Sequence, residues 1–145
     1  MFTQIALGGL LMLATVLLAG VSVWAMEALF AVATPWLLRG AHRLKLILVV
    51  MIASLWVLSM ITIDVWLWAI AFRVLGVFPD MEHAVYFALV SFTTLGFGDV
   101  LLPVEWRIFG SMAAANGLLN MGLMTAFMIE TLRHFRVRQI EVGRG

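Results

Sequence analysis

Three long apolar runs constrain the fold of this chain more than any other feature. They extend over Ile5–Leu38, Leu46–Phe78 and Ile108–Leu132. A helix needs about 20 predominantly apolar residues to cross a bilayer, and each run is at least that long. The 145 residues are 64% hydrophobic, whereas a soluble domain contains roughly 45–50% apolar residues. The sequence therefore predicts an all-α membrane protein with three transmembrane helices.

The first two runs are longer than one perpendicular span. We expect the first helix to cross the bilayer over residues 4–26, and a separate short helix to follow Glu27 along the membrane surface to about Leu38. We expect the second helix to reach the opposite interface near Trp66 and Trp68, because tryptophan is enriched at that depth.

Basic residues predict the orientation of the spans. Seven of the nine lysine and arginine residues lie between the first two spans or after the third. The side that carries the excess of basic residues is usually cytoplasmic. We therefore expect an outer N-terminus, an inner C-terminus, and an outer segment at residues 79–107. The seven residues are Arg39, Arg43, Lys45, Arg133, Arg136, Arg138 and Arg144.

A polar, glycine-containing stretch, SFTTLGFGDVLLP (Ser91–Pro103), separates the second run from the third. Residues 81–92 before it favour a short helix with Asp80 as N-cap. At about 18 Å this helix is too short to span, so the chain after it must return outside. Irregular backbone at membrane depth is tolerated where it is buried in protein or lines a water-filled path. Gly96 and Gly98 permit the positive φ that points successive carbonyls toward one axis, where they can replace the water around a cation.

Two other interpretations of GFGD are weaker. A dinucleotide-binding fingerprint needs a third glycine where this chain has Leu101, and it needs a preceding strand. An ordinary tight turn does not account for the short helix or for the acidic residues around the loop.

The segment TTLGFGD (93–99) resembles the signature sequence of the potassium channel pore-domain family. The aromatic pair Tyr86 and Phe87 precedes it, as in that family. GLLNMGLMTAF (Gly117–Phe127) is similar to the family's inner helix with its hinge glycine.

The resemblance divides the chain into three parts. Residues 46–135 resemble a pore domain made of an outer helix, a pore helix, a filter and an inner helix. Residues 1–45 add an N-terminal transmembrane helix and an interfacial segment. Residues 136–145 are expected to form a short basic cytoplasmic tail.

The resemblance also implies roles for the loop residues. Four residues would bind K⁺ in the filter, through their carbonyls and one hydroxyl: Thr94, Leu95, Gly96 and Phe97. Support would come from Thr93, Gly98, Asp99 and Tyr86. Some bacterial members place a glutamate partner for the aspartate where this chain has Val90. We therefore expect the Tyr86 hydroxyl to hold Asp99 instead.

One chain supplies one strand of the filter, and four are needed to close a ring, so the resemblance implies a homotetramer in the lipid bilayer. The implied function is passive, potassium-selective conduction across the cell membrane, which we expect to be the inner membrane of a bacterium. A weakly selective cation channel and a non-conducting accessory subunit with a pore-like fold remain alternatives. The sequence shows no convergent catalytic set or metal-ligand cluster. We expect no enzymatic activity, no cofactor besides the permeant K⁺, and no nucleic-acid partner.

The third run carries the predicted cavity and hinge. Helical register directs Leu118, Met121 and Thr125 toward the axis, next to the hinge residue Gly117. The inner end of the run carries Glu130, Arg133 and His134 as a possible gate. Histidine titrates near physiological pH, and Glu130 is placed to pair with His134. The alternative is that these three residues are ordinary interfacial charges.

Polar residues within the spans leave two interpretations open. Asn116 and Asn120 either form hydrogen bonds between helices or face the cavity. Asp64 is expected near the outer interface, either solvated or paired with Arg73.

Overall fold

The structure is a computed structural model that describes the backbone of residues 1–37 and 42–142, and the side chains of residues 1–32, 44, 45 and 47–133. These residues form four α-helices and no strand. The helices are α1 (Phe2–Leu37), α2 (His42–Val74), α3 (Met81–Phe92) and α4 (Arg107–Val142), with a 3₁₀ turn at Val104–Trp106 before α4. Three helices contain apolar stretches of 31, 28 and 30 residues, namely Phe2–Val32, Ile47–Val74 and Val104–Arg133. The predicted all-α class with three membrane-spanning helices is confirmed.

Helix α1 runs without a break for 36 residues. The prediction of a separate short helix after Glu27 is therefore wrong. Glutamate is a good helix former, as are the alanine, methionine and leucine residues around it, so one charge does not end the helix. Pro35 lies in the last turn of the helix, so the intrahelical hydrogen bond that it cannot donate is one of the last in α1, and the helix ends two residues later. Helix α4 likewise continues to Val142, through residues expected to form a tail.

An aromatic core joins the second half of α2 to α3 and to the first half of α4. Trp68, Phe72 and Phe109 are buried there. The ring centroids of Trp68 and Phe109 lie 5.1 Å apart, and those of Phe72 and Phe109 lie 5.3 Å apart. The ring of Phe87 on α3 packs edge-on against Phe72 at 5.2 Å. This core fixes α3, and hence the loop that follows it, against the two long helices.

Trp66 and Trp68 lie on different faces of α2, and their depth at a membrane interface stays a prediction. Trp66 is exposed, whereas Trp68 is 1% exposed. Val65, Trp68, Ala69 and Phe72 share the face of α2 that belongs to the core. The residue type is the same at both positions, and the helical register determines which of the two tryptophans packs into the core.

Helix α1 packs chiefly along α4. The Phe109 N–H donates to Gln4 Oε1 at 3.4 Å, and the Thr15 hydroxyl donates to Asn116 Oδ1 at 2.8 Å. Thr15 and Asn116 are both fully buried. The N-terminal helix is thus joined to the third span by polar contacts as well as by apolar packing.

Candidate functional site

The short helix α3 positions the loop. It spans the 12 residues Met81–Phe92, as predicted, and the Asp80 carboxylate caps it by accepting from the His83 N–H at 2.9 Å. At its other end the Thr93 N–H donates to Leu89 O at 3.0 Å. The Thr93 hydroxyl also donates to Leu89 O, at 2.8 Å. Thr93 therefore closes the helix through its backbone and its side chain.

The loop backbone alternates between two conformations. Thr94, Gly96 and Gly98 have φ of 58°, 53° and 77°, so every second residue lies in the left-handed region. The prediction of positive φ at the two glycines is confirmed. Leu95 and Phe97 between them do not share it. A backbone that alternates in this way can present successive carbonyls on one side of the chain, and rings of backbone carbonyls are what coordinate the cation in a selectivity filter.

Thr94 was not predicted to be left-handed. Among the described residues other than glycine, it alone has a positive φ. A side chain there costs about 1–2 kcal/mol, so the conformation needs support. Thr94 N–H donates to Ser91 O at 2.9 Å, and Leu95 N–H donates to Val90 O at 3.1 Å. The last carbonyls of α3 thus hold the start of the loop, and the period of two set by the glycines was the available signal.

The apolar side chains of the loop point away from the rest of the chain. Leu95 is 60% exposed and Phe97 is 66% exposed in the single chain. Behind the loop lies a cavity of about 470 Å³, bounded by α3, the loop and α4. Its lining includes Tyr86, Val90, Thr94, Asp99, Arg107 and Gly110. One chain therefore leaves both the loop side chains and the space behind the loop unfilled.

Tyr86 and Asp99 make the predicted contact. The Tyr86 hydroxyl donates to Asp99 Oδ2, and the Val100 N–H donates to Asp99 Oδ1 at 3.0 Å. The hydrogen bond from Tyr86 holds the pKa of the Asp99 carboxyl below its ordinary value of 3.8. Val90 lies against the same cavity and offers no polar group. The contact is present, and its effect on function stays a prediction.

Replacing Tyr86 with phenylalanine removes the donor and keeps the ring. Because the bond lowers the Asp99 pKa, its contribution is complete above pH 3.8 and is lost as the pH falls through the lowered value. In Tyr86→Phe, protonation of Asp99 should begin at a higher pH. If the protein conducts ions, current should decay faster during sustained opening, and external acid should accelerate the decay at a higher pH than in the wild type. Patch recordings at stepped external pH measure both effects, and an unchanged time course and pH profile would reject the role.

Helix α4 has two opposite stripes. The buried stripe faces α1 and α2 and consists of Phe109, Ala113, Asn116, Asn120 and Met124. The exposed stripe consists of Ser111, Ala115, Leu118, Gly122, Thr125 and Ile129. Leu118 and Thr125, two of the predicted cavity residues, lie on the exposed stripe. Met121 is partly buried and packs against the core. Gly122, which was not among the predicted cavity residues, lies on the exposed stripe.

Gly117 makes a close backbone contact. A Cβ at this position would lie 2.2 Å from Phe92 O and 2.6 Å from Phe92 Cα. The helix continues through Gly117 without interruption. The observed reason for glycine here is therefore the close approach of α4 to the end of α3, and a hinge at this residue stays a prediction.

The polar residues of α4 bond to neighbouring helices. Asn116 accepts from Thr15, and Asn120 Nδ2 donates to Asp64 Oδ2 at 2.9 Å. Both asparagines are 1% exposed or less, which supports the interhelical interpretation. The prediction for Asp64 is wrong, since Asp64 is buried while Arg73 is exposed at the end of α2. Counting residues along α2 predicts a depth for Asp64, but it does not identify Asn120 on α4 as its hydrogen-bond partner inside the protein.

The possible gate is described in part. Arg133 Nη1 lies 4.0 Å from Glu130 Oε2, and both side chains are largely exposed. The side chain of His134 lies outside the described residues, so its pairing with Glu130 stays a prediction.

Comparison with known proteins bears on the same segment of the chain. The sequence model of a family described as "Ion channel" matches residues 46–134. The chain is similar to potassium voltage-gated channel subfamily A member 2 of Xenopus laevis, with 32% identity over 65 residues, and to subfamily A member 6 of Homo sapiens, with 32% identity over 67 residues. These matches cover 44% and 46% of this chain but 13% of each relative. No solved structure matches the chain. The family match begins within α2 and ends within α4, so it leaves α1 outside.

Proposed function

Since the chain belongs to the ion channel family, we propose that it forms a homotetrameric pore that conducts K⁺ selectively and passively across the cell membrane. The observation that carries the proposal is the alternation of left-handed residues at Thr94, Gly96 and Gly98 directly after a short, non-spanning helix. A backbone of this kind supplies carbonyl oxygens at regular intervals. Four copies around an axis would surround a dehydrated cation with oxygens from all sides.

Three features of the single chain favour assembly. Leu95 and Phe97 expose apolar side chains beside a cavity of about 470 Å³. The exposed stripe of α4 is apolar or small at most positions and has no partner from another helix among the described residues. Leu101 and Val104, on the segment between the loop and α4, are also more than two-thirds exposed. Contact with further copies would cover these surfaces, and closed rotational symmetry is the usual form of such homo-oligomers.

Ion flux into liposomes tests the proposal. Purified protein should pass K⁺ and Rb⁺ much faster than Na⁺, and Ba²⁺ should block the flux. Protein-free liposomes provide the background rate, and the mass of the detergent-solubilised complex should correspond to four chains. Equal K⁺ and Na⁺ flux would replace the proposal with a weakly selective cation channel. Flux at the background rate from a well-formed oligomer would replace it with a non-conducting subunit.

A further inference from the structure

Two buried hydrogen bonds tie α4 to different neighbours on consecutive turns. Asn116 accepts from Thr15 on α1 at 2.8 Å, and Asn120 donates to Asp64 on α2 at 2.9 Å. All four side chains are 3% exposed or less. They join parts of the chain separated by 101 and 56 residues. We name this set of four residues the polar clamp.

The polar clamp brackets Gly117. Asn116 precedes the glycine by one residue and Asn120 follows it by three, so any bend of α4 at Gly117 moves the two amides relative to α1 and α2. Hydrogen bonds weaken steeply when distance and angle depart from their optimum. A bend would therefore stretch at least one of the two bonds, and the unbent helix is the conformation that satisfies both.

Each of the two asparagine side chains has one amide atom without a hydrogen-bond partner among the described residues. In the described part of the chain, Asn116 Nδ2 and Asn120 Oδ1 are buried without a hydrogen-bond partner. Each amide therefore depends on its single bond to a neighbouring helix, and breaking that bond leaves a buried polar group unpaired. The contacts of α4 further along are apolar, as between Phe127 and Trp56, whose rings lie 4.8 Å apart. Apolar contacts are less directional, so the polar clamp constrains the position of α4 around Gly117 more closely than these contacts do.

We propose that the polar clamp restrains the gate: α1 and α2 together hold α4 in the unbent, closed conformation, and opening requires release of at least one of the two bonds. This assigns a regulatory role to α1, which lies outside the segment matched by the family. Thr15, Asp64, Asn116 and Asn120 act as positioning residues and do not contact the permeant ion. The inference rests on the proposed function for its electrical readout.

The test compares variants that remove one bond each. Thr15→Val deletes the hydroxyl at nearly constant shape, and Asp64→Val deletes the acceptor on α2. Each should favour release of α4 about fivefold per chain, the factor expected for one buried hydrogen bond, and single-channel open probability should rise at least fivefold because all four chains carry the change. Asp64→Asn keeps an acceptor oxygen and should have a smaller effect than Asp64→Val. Unit conductance and the K⁺/Na⁺ ratio should stay at wild-type values.

A matched control and a pair of double variants separate gating from general damage. Thr62→Val removes an exposed hydroxyl that bonds only within α2, to Leu58 O at 2.8 Å, and should leave open probability unchanged. If Thr15 and Asn116 act as a pair, Asn116→Leu combined with Thr15→Val should change open probability no more than Thr15→Val alone. Additive effects, a fall in open probability, or no change in Thr15→Val and Asp64→Val would each overturn the inference.

Hydrogen–deuterium exchange provides a readout that does not require conduction. The backbone amides of residues 121–133 should exchange faster in Thr15→Val and Asp64→Val than in the wild type or Thr62→Val. If both variants exchanged at the wild-type rate, the proposal that the polar clamp restrains α4 would be wrong, even if the protein conducts ions. A wild-type protein that passes no K⁺ would overturn the proposed function, and the exchange rates would still decide whether the clamp restrains α4.

Discussion

Replacing Gly96 with alanine is expected to abolish potassium-selective flux. Gly96 has a φ of 53°, and a Cβ in the left-handed region costs about 1–2 kcal/mol per residue. Summed over the four chains of the proposed ring, the penalty is about 4–8 kcal/mol, which reduces the population of the filter backbone by about 10³-fold or more. Rb⁺ uptake into liposomes, with Na⁺ uptake in parallel, measures the loss.

Gly20→Ala is the matched control for this change. Gly20 lies within α1, has no positive φ, and offers open space to a Cβ. The substitution adds the same methyl group and should leave flux unaltered. Both proteins should first be shown to form the same oligomer. Selective flux retained by an assembled Gly96→Ala variant would contradict the proposed use of the left-handed backbone.

Replacing Gly117 with alanine is expected to destabilise the folded protein. The added Cβ would lie 2.2 Å from Phe92 O, and backbone cannot move aside as a flexible side chain does. Overpacking of this type costs typically about 1–3 kcal/mol, against a gain of about 1 kcal/mol from the higher helix propensity of alanine. Phe92 directly precedes Thr93, so displacement of α4 should also disturb the start of the filter loop. Thermal unfolding in detergent, followed by the helical circular dichroism signal, measures the stability.

Gly122→Ala makes the same substitution five residues later in α4. A Cβ at Gly122 meets no atom of its own chain within 4 Å, so in the detergent-dissociated single chain the change should raise the free energy of unfolding by about 0.8–1.0 kcal/mol through helix propensity alone. The two variants should therefore shift the midpoint in opposite directions. A Gly117→Ala protein that unfolds at or above the midpoint of Gly122→Ala would show that the contact with Phe92 is not tight.

Local signals in the sequence predicted the short helix and the loop well. Asp80 indicates the start of α3 because its carboxylate caps the helix by accepting from the N–H of His83. Gly96 and Gly98 indicate a backbone with positive φ, which glycine adopts readily. The left-handed Thr94 escaped prediction because threonine has no such preference. The spacing of two residues between Gly96 and Gly98 was the sequence signal for it, and the hydrogen bonds to the end of α3 that support it become visible only once the helix has been placed.

Long-range partners explain the failures. Asp64 was predicted to lie near water because of its depth along α2. It is buried because it accepts a hydrogen bond from Asn120, which lies 56 residues further on. The burial of Trp68 was likewise not predicted, because it depends on the position of Phe109 on α4. The cavity register of Leu118, Met121 and Thr125 stays a prediction, since the single chain shows only that Leu118, Gly122 and Thr125 are exposed and that Met121 is partly buried.

The bond between Thr15 and Asn116 also constrains the order in which the protein is made. Translation at about 5–20 residues per second places these residues about 5–20 s apart, so α1 is in the membrane before α4 has been synthesised. During that interval the Thr15 hydroxyl can donate its single proton within its own helix, to Met12 O at 2.9 Å, and it turns to Asn116 Oδ1 when α4 arrives. Asn116 has no such local partner among the described contacts and meets Thr15 on arrival. The helix α1 can therefore reside in lipid without an unpaired hydroxyl at Thr15, and it offers that hydroxyl to Asn116 once α4 has been synthesised.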